Sequence, residues 1–230
     1  MYKSIYALAA WVSVWPCASA SAQASQQELL QKLATVEESV ARNQASLREY
    51  TWTERTTVRT KGELRRTDVA ECRYLPDDEL QRRVKESEEP VEGLKAKLFE
   101  MKDATLQAYT QRLLALLNRY SPPSPRLMTA AHQAGNVLLG SSAPGAITLN
   151  FRNYVSSGDS VTFDFDAATR TLRKILVNTY LSDAKDPVTL SAAFASLPDG
   201  ANYISSTTLN EKAKGIQITI QNSGYKKMEL

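Results

Sequence analysis

Histidine is nearly missing from this 230-residue sequence: His132 is the one copy. Cysteine is almost as scarce, at positions 17 and 72. A zinc site takes three or four ligands of the His, Cys and carboxylate types, and no spacing here spells one out. His132 therefore reads as a solvated or capping residue, since a ligand or general base needs partners that no motif supplies. A Gly-x-Ser-x-Gly elbow, a phosphate loop and a dinucleotide fingerprint are missing as well. The reading is of a non-enzyme with no cofactor. Charge of one sign is also absent: the formal net charge is +3, too small a bias to imply nucleic acid.

No apolar run reaches the roughly 20 residues that a membrane-spanning helix needs. Ile5–Trp15 is an apolar run of 11 residues behind Lys3. Small-residue triplets follow and overlap: Ala18-Ser19-Ala20, Ala20-Ser21-Ala22 and Ala22-Gln23-Ala24. This pattern is that of a secretory signal, residues 1–24, cleaved near Ala24. The expected product is an exported, periplasmic chain with one domain over residues 25–230, long enough to bury a core. Cys17 follows Val14-Trp15-Pro16, whereas a lipobox has small residues before its cysteine, so acylation is not expected. With Cys17 removed, Cys72 has no internal partner. Its place between Ala70 and Tyr74 at strand spacing makes it a buried small residue.

What is present is periodicity. Ser25-Gln26-Gln27-Glu28 spells a capping box, followed by one apolar stripe at Leu29, Leu33, Val36, Val40 and Leu47. This predicts a helix over 25–49. Tyr50 to Pro76 reads as a hairpin turning at Lys61-Gly62-Glu63, with a weaker strand at Leu80 to Val84 and an acidic loop at Glu86 to Gly93. Leu94 to Arg119 is a second long helix, ended by Ser121-Pro122-Pro123. Ser124 then caps a short helix that stops at Gly135. The remainder alternates with period two. Strands are expected near 147–155, 160–167, 171–181, 187–195, 202–210 and 215–222.

Two polar clusters stand out. Asp164 and Asp166 share one face of a strand, a spacing open to acid–base or calcium chemistry, but alternating polar residues on an antiparallel strand are solvated by default. Arg55, Arg59, Lys61, Arg65 and Arg66 gather on the first hairpin. They suit a membrane surface or an acidic envelope protein, or else keep an edge hairpin soluble.

Six meander strands and the hairpin make eight strands, so about 8–10 in all, and a sheet about 38 Å across at about 4.8 Å per strand. Two long helices and a short one, each about 10 Å wide, cover about 30 Å. The expected architecture is α+β: a single strongly curved antiparallel sheet, a half-barrel, with its apolar face under the helices. The mismatch in width permits a cavity without requiring one.

An amphipathic first helix, then "YTWTERTTVRTKGELRR", then inserted helices, then "VTFDFDAATRTLRKI" with Asp166, Thr169 and Leu172 at a hairpin, resembles the LolA/LolB-like lipoprotein-carrier superfamily. The C-terminal "FASLPDGANYISSTTLNEKAKGIQITIQNSGYKKMEL" also looks like an uncharacterised family of exported bacterial proteins. The first resemblance implies a concave apolar face that takes acyl chains under a helical lid. That face would carry Phe151, Val161, Phe163, Phe165, Ile175, Val177, Leu190 and Phe194. Leu98, Met101 and Tyr109 would belong to the lid. The function implied is a periplasmic carrier or sensor of a lipid-like ligand. The alternative is a packed cell-envelope interaction module with no small ligand.

Overall fold

Alanine and serine alternate from Ala18 to Ala22, Gln23 and Ala24 follow, and nothing in that stretch breaks a helix. In the computed structural model, which describes residues 18–76, 79–88 and 96–228, the first helix α1 accordingly spans Ala18–Leu47. Ser25 lies inside it, so the expected capping box does not begin the helix. The apolar stripe behaves as its spacing demands, with Leu33, Val36, Val40 and Leu47 buried. Residues 1–17 of the expected leader lie outside the described residues.

The chain then forms β1 (Tyr50–Thr60) and β2 (Glu63–Tyr74) around Lys61 and Gly62, whose φ angles are 52° and 85°. Two successive residues in the left-handed region match a type I′ turn, whose twist suits a hairpin. The third strand, β3 (Leu80–Glu88), is longer than the pattern indicated. Glu86, Ser87 and Glu88, expected in the acidic loop, instead pair with Val69, Asp68 and Thr67, and the rest of that expected loop lies outside the described residues. β3 is an edge strand exposed along nearly its whole length, where charge is tolerated on both faces and discourages pairing with other chains.

Helix α2 spans Ala96–Asn118 and α3 spans Pro125–Gln133. Ser124 caps α3 by accepting from the Leu127 N–H, Pro125 occupies its first turn, and Gly135 follows at φ 70°. The strand β4 (Val137–Gly140) was not legible in the sequence. It has four residues, pairs only with β5, and leaves Leu138 exposed, so it carries no alternation to read. β5 (Ala146–Arg152), β6 (Ser160–Asp166), β7 (Leu172–Tyr180), β8 (Pro187–Ser196), β9 (Asn202–Glu211) and β10 (Ile216–Lys227) follow as an antiparallel meander close to the expected bounds.

All ten strands form one antiparallel sheet in the order β3-β2-β1-β10-β9-β8-β7-β6-β5-β4. The sheet is not closed: β3 and β4 are its edges. β1 joins the last strand, with Val58 opposite Ile218 and Thr56 opposite Ile220. One buried cluster contains Leu33, Val36 and Val40 of α1, Leu113, Leu116 and Leu117 of α2, Met128 and Ala131 of α3, and the inward residues of the sheet from Val58 to Leu149. α1 packs against α3 and β9, and α3 against β5.

A polar knot fixes the exit from α2. The carboxylate of Asp159, itself buried, accepts from the backbone N–H groups of Tyr154 (2.6 Å), Val155 (3.0 Å) and Ser156 (2.8 Å) and from the Tyr120 hydroxyl (2.7 Å). The Tyr120 oxygen also lies 2.8 Å from Thr179 Oγ1 on β7. The turn after β5 and the end of α2 are thus held by one side chain.

Candidate binding clefts

Most of the side chains expected to line a ligand face are packed against one another. Phe151, Val161, Phe163, Ile175, Val177 and Leu190 are buried members of the shared core, with Phe163 in edge contact with Phe151 and Tyr154 at ring centroids 5.3 and 5.8 Å apart. Tyr109, the third expected lid residue, belongs to the same buried cluster as Phe163 and Phe165, and Lys214 Nζ sits 3.4 Å from its ring centroid. The side chains of Leu98 and Met101 lie outside the described residues. Phe165 and Phe194 differ from the rest, because both reach an open cleft.

That first cleft, of about 280 Å³, runs between α1 and the ends of β6, β8 and β9. Its apolar wall is Val40, Leu47, Phe165, Leu172, Phe194 and Ile204. Polar side chains on the same stretch of α1 fasten the helix to turns of the sheet. The Asn43 amide makes two bonds to the backbone of Asn202, donating to its carbonyl and accepting from its N–H. Ser39 Oγ donates to the Arg170 carbonyl at 3.2 Å, and Gln44 Nε2 to the Pro123 carbonyl at 3.4 Å. Just past the helix, the Tyr50 hydroxyl donates to Asp199, and that hydrogen bond raises the phenol above its ordinary range.

A second cleft, of about 400 Å³, opens beside β1, β3 and β10 and the end of α2. Pro122 and Ile204 line both clefts and so form the partition between them. Its floor combines aromatic and charged groups. Trp52 stacks on Tyr225 (centroids 5.4 Å apart, planes at 11°) and meets Tyr74 at 5.3 Å. Glu54, buried on the same face, accepts from Arg82 Nε at 2.9 Å. Burial of this corner pushes the Tyr225 phenol well up, and the Cys72 thiol up to about 12, which leaves Cys72 a packed, un-ionised side chain.

This aromatic corner is not legible in the sequence because β10 breaks its own period. Ile216, Ile218, Ile220 and Asn222 alternate onto the inward face, which would place Gly224 and Lys226 there next. Instead, pairing with β1 is irregular between Thr51 and Thr53, and Gly224 takes φ 65°. The extra residue rotates Tyr225 inward against Trp52. Gly224→Ala places a side chain in the left-handed region and is expected to cost about 1–2 kcal/mol, read as a lower urea midpoint.

Several charged residues of the first hairpin and of β6 make local contacts. Arg66 Nε donates to both oxygens of Asp68 at 2.8 Å, Arg65 pairs with Glu63, and Arg59 donates to the Gly62 carbonyl at 3.2 Å. Part of the basic hairpin therefore neutralises itself. Asp166 Oδ1 accepts from the N–H groups of Thr169 (2.9 Å) and Ala168 (3.0 Å), bonds that hold its carboxyl below the usual range. Asp164 accepts from Ser142 Oγ at 2.8 Å. His132 sits half-buried in the last turn of α3. Among the described residues no cluster of three or more His, Cys, Asp or Glu side chains is placed to hold a metal ion, and no helix is long and apolar enough to cross a membrane.

No family model matches the chain, and no curated protein matches it. Solved structures similar to it include two of low identity. One is a DUF1329 family protein from Desulfovibrio piger ATCC 29098, 9% identical, with a TM-score of 0.42 over 85% of this chain and 92% of that one. The other is a putative outer membrane lipoprotein-sorting protein domain from Vibrio parahaemolyticus, 11% identical, with a TM-score of 0.37 over 82% of this chain and 91% of that one.

Proposed function

We propose that the protein is an exported, periplasmic carrier or sensor that takes an acyl chain between α1 and the concave apolar face of a half-barrel. The first cleft is the observation that carries this reading. It opens onto the core through Phe165, Leu172 and Phe194, under a helix tied down by polar side chains rather than by covalent or strand pairing. Ten strands at about 4.8 Å make a sheet about 48 Å across, against about 30 Å for three helices lying flat. The excess bends the sheet and leaves apolar wall for a ligand. A cleft of about 280 Å³ lies just under the ~300–1,000 Å³ of small-molecule sites, so a longer chain enters as α1 lifts from the turns at Arg170 and Asn202. Each buried methylene contributes about 0.8 kcal/mol, so eight offer about 6 kcal/mol before association costs. Processing near Ala24 belongs to the same reading, and no catalytic role is part of it.

A second reading has its own support. Phe151, Val161, Phe163 and Ile175 are fully buried by neighbouring side chains, as in a packed interaction module that docks through its basic hairpin or the β3 edge. Binding of a fluorescent fatty acid decides between the two. The wild type and Asp164→Ala, on the opposite face, are expected to bind. Phe194→Asp, which sets a carboxylate on the cleft wall, is expected to lose binding at least tenfold. No binding by the wild type, or equal binding by all three, favours the packed module.

A further inference from the structure

Two residues that line the second cleft each carry a buried polar atom with no partner among the described residues. Trp52 is 5% exposed, and its indole Nε1 is sealed from solvent with no acceptor. Asn222 donates its amide N–H to the Ile204 carbonyl at 2.9 Å, which fixes the orientation of the amide, and its Oδ1 is left buried with no donor. Asn222 stands opposite Glu54 on the neighbouring strand, and Trp52 is two residues from Glu54 on the same face. The orphan donor and the orphan acceptor therefore belong to residues of neighbouring strands on one cleft floor, beside the irregular pairing between Thr51 and Thr53. Buried groups in this condition cost free energy that a fitting ligand returns.

We propose that this cleft is a subsite for a polyhydroxylated ring, a sugar, presented free or as the head of a glycolipid. A hydroxyl is the small neutral group that both accepts from an indole N–H and donates to an amide oxygen. The charges already present ask for no ionic ligand, because Glu54 is paired with Arg82. Half-buried Tyr74 supplies the aromatic surface for the C–H side of a sugar ring, and the exposed Asn118 adds an amide at the rim. A volume of about 400 Å³ is within the ~300–1,000 Å³ usual for small-molecule sites. Arg82, with its side chain 36% exposed, is the rim residue whose rotation admits the ring to the buried atoms. The partition at Pro122 and Ile204 puts an acyl chain in the first cleft next to a head in the second. Only this glycolipid form rests on the acyl-chain reading.

The test follows the Trp52 indole N–H in ¹⁵N–¹H spectra of the full chain, its resonance assigned by its loss in Trp52→Phe. The probes are the methyl glycosides of glucose, mannose and N-acetylglucosamine, octyl β-glucoside below its micelle concentration, and octanoate. At least one methyl glycoside is expected to move the resonance downfield to saturation, with calorimetric affinity falling about tenfold in Trp52→Phe and in Asn222→Ala. Tighter binding of octyl β-glucoside than of the methyl glycosides identifies a glycolipid. A methyl glycoside that binds with no gain from the octyl chain keeps the sugar subsite while removing the acyl-chain reading. A shift with octanoate alone, or with none of the probes, overturns the proposal.

Discussion

Asp159→Ala is expected to lower the unfolding free energy by about 3–5 kcal/mol, a large share of the roughly 5–15 kcal/mol by which a domain is stable. The substitution removes one carboxylate and strands three donors, the N–H groups of Tyr154, Val155 and Ser156, while the Tyr120 hydroxyl keeps only Thr179. Water can reach the half-buried Val155 and Ser156 but not Tyr154 or Tyr120, so the loss is only partly recovered. Asp159→Asn tests the cause. It keeps the shape but turns an N–H₂ toward groups that also donate, so it is expected to destabilise nearly as much. Tyr120→Phe keeps the three backbone bonds and is expected to cost only about 1–2 kcal/mol. Urea midpoints of the three variants, with m-values compared, check the order. A midpoint for Asp159→Asn near that of the wild type would sink this account.

Phe163→Ala is the second large effect, expected at about 3–5 kcal/mol. Its ring is fully buried in the middle strand of the β5–β6–β7 group, opposite Leu149 and Ile175 and in contact with Phe151, Tyr154 and Phe165. Those neighbours come from three strands and a turn braced by Asp159, so they are poorly free to collapse into the space. Thermal unfolding followed by circular dichroism measures the loss. If the site instead relaxes to accept an acyl chain, the fatty-acid probe is expected to rebind and stabilise the variant by mass action. A loss under 1 kcal/mol without ligand would show that Phe163 borders open space rather than packed core.

The meander was legible because its strands obey a single rule. Leu149, Phe151, Val161, Phe163, Phe165, Ile175 and Val177 point inward with period two, and their burial repeats the sequence alternation. α3 was legible because Ser124, Pro125 and Gly135 each demand their positions at a helix start or stop. What escaped had no such local signature. β4 is too short to show a period. β3 sits at an edge where burial no longer sorts apolar from polar, so Glu86 to Glu88 look like loop. The aromatic corner depends on the irregular pairing at Gly224, which shifts Tyr225 by one residue relative to Ile220. The expected ligand face shares a cause with these misses: periodicity identifies an inward face but not the distance to what covers it. Phe165 and Phe194 border a cleft while Phe163 does not, and that difference is set by where α1 and the Ser121–Pro123 segment lie.

The pairing of β1 with β10 makes completion of the sheet an end-to-end event. Within β1–β3, and again within β4–β10, each strand joins a neighbour in sequence, so both groups assemble through short-range contacts. The seam between them waits for residues 216–227 to reach 50–60, and it is sealed at its end by the Met228 N–H donating to the Glu49 carbonyl at 2.7 Å. A chain still emerging, or cut short before Ile216, leaves β1 and β9 as bare edges, both of which are paired with β10 in the finished molecule. The last strand is thus a length check. Only a chain that includes β10 can hide those edges, and one that lacks it advertises them to chaperones, proteases and other copies of itself.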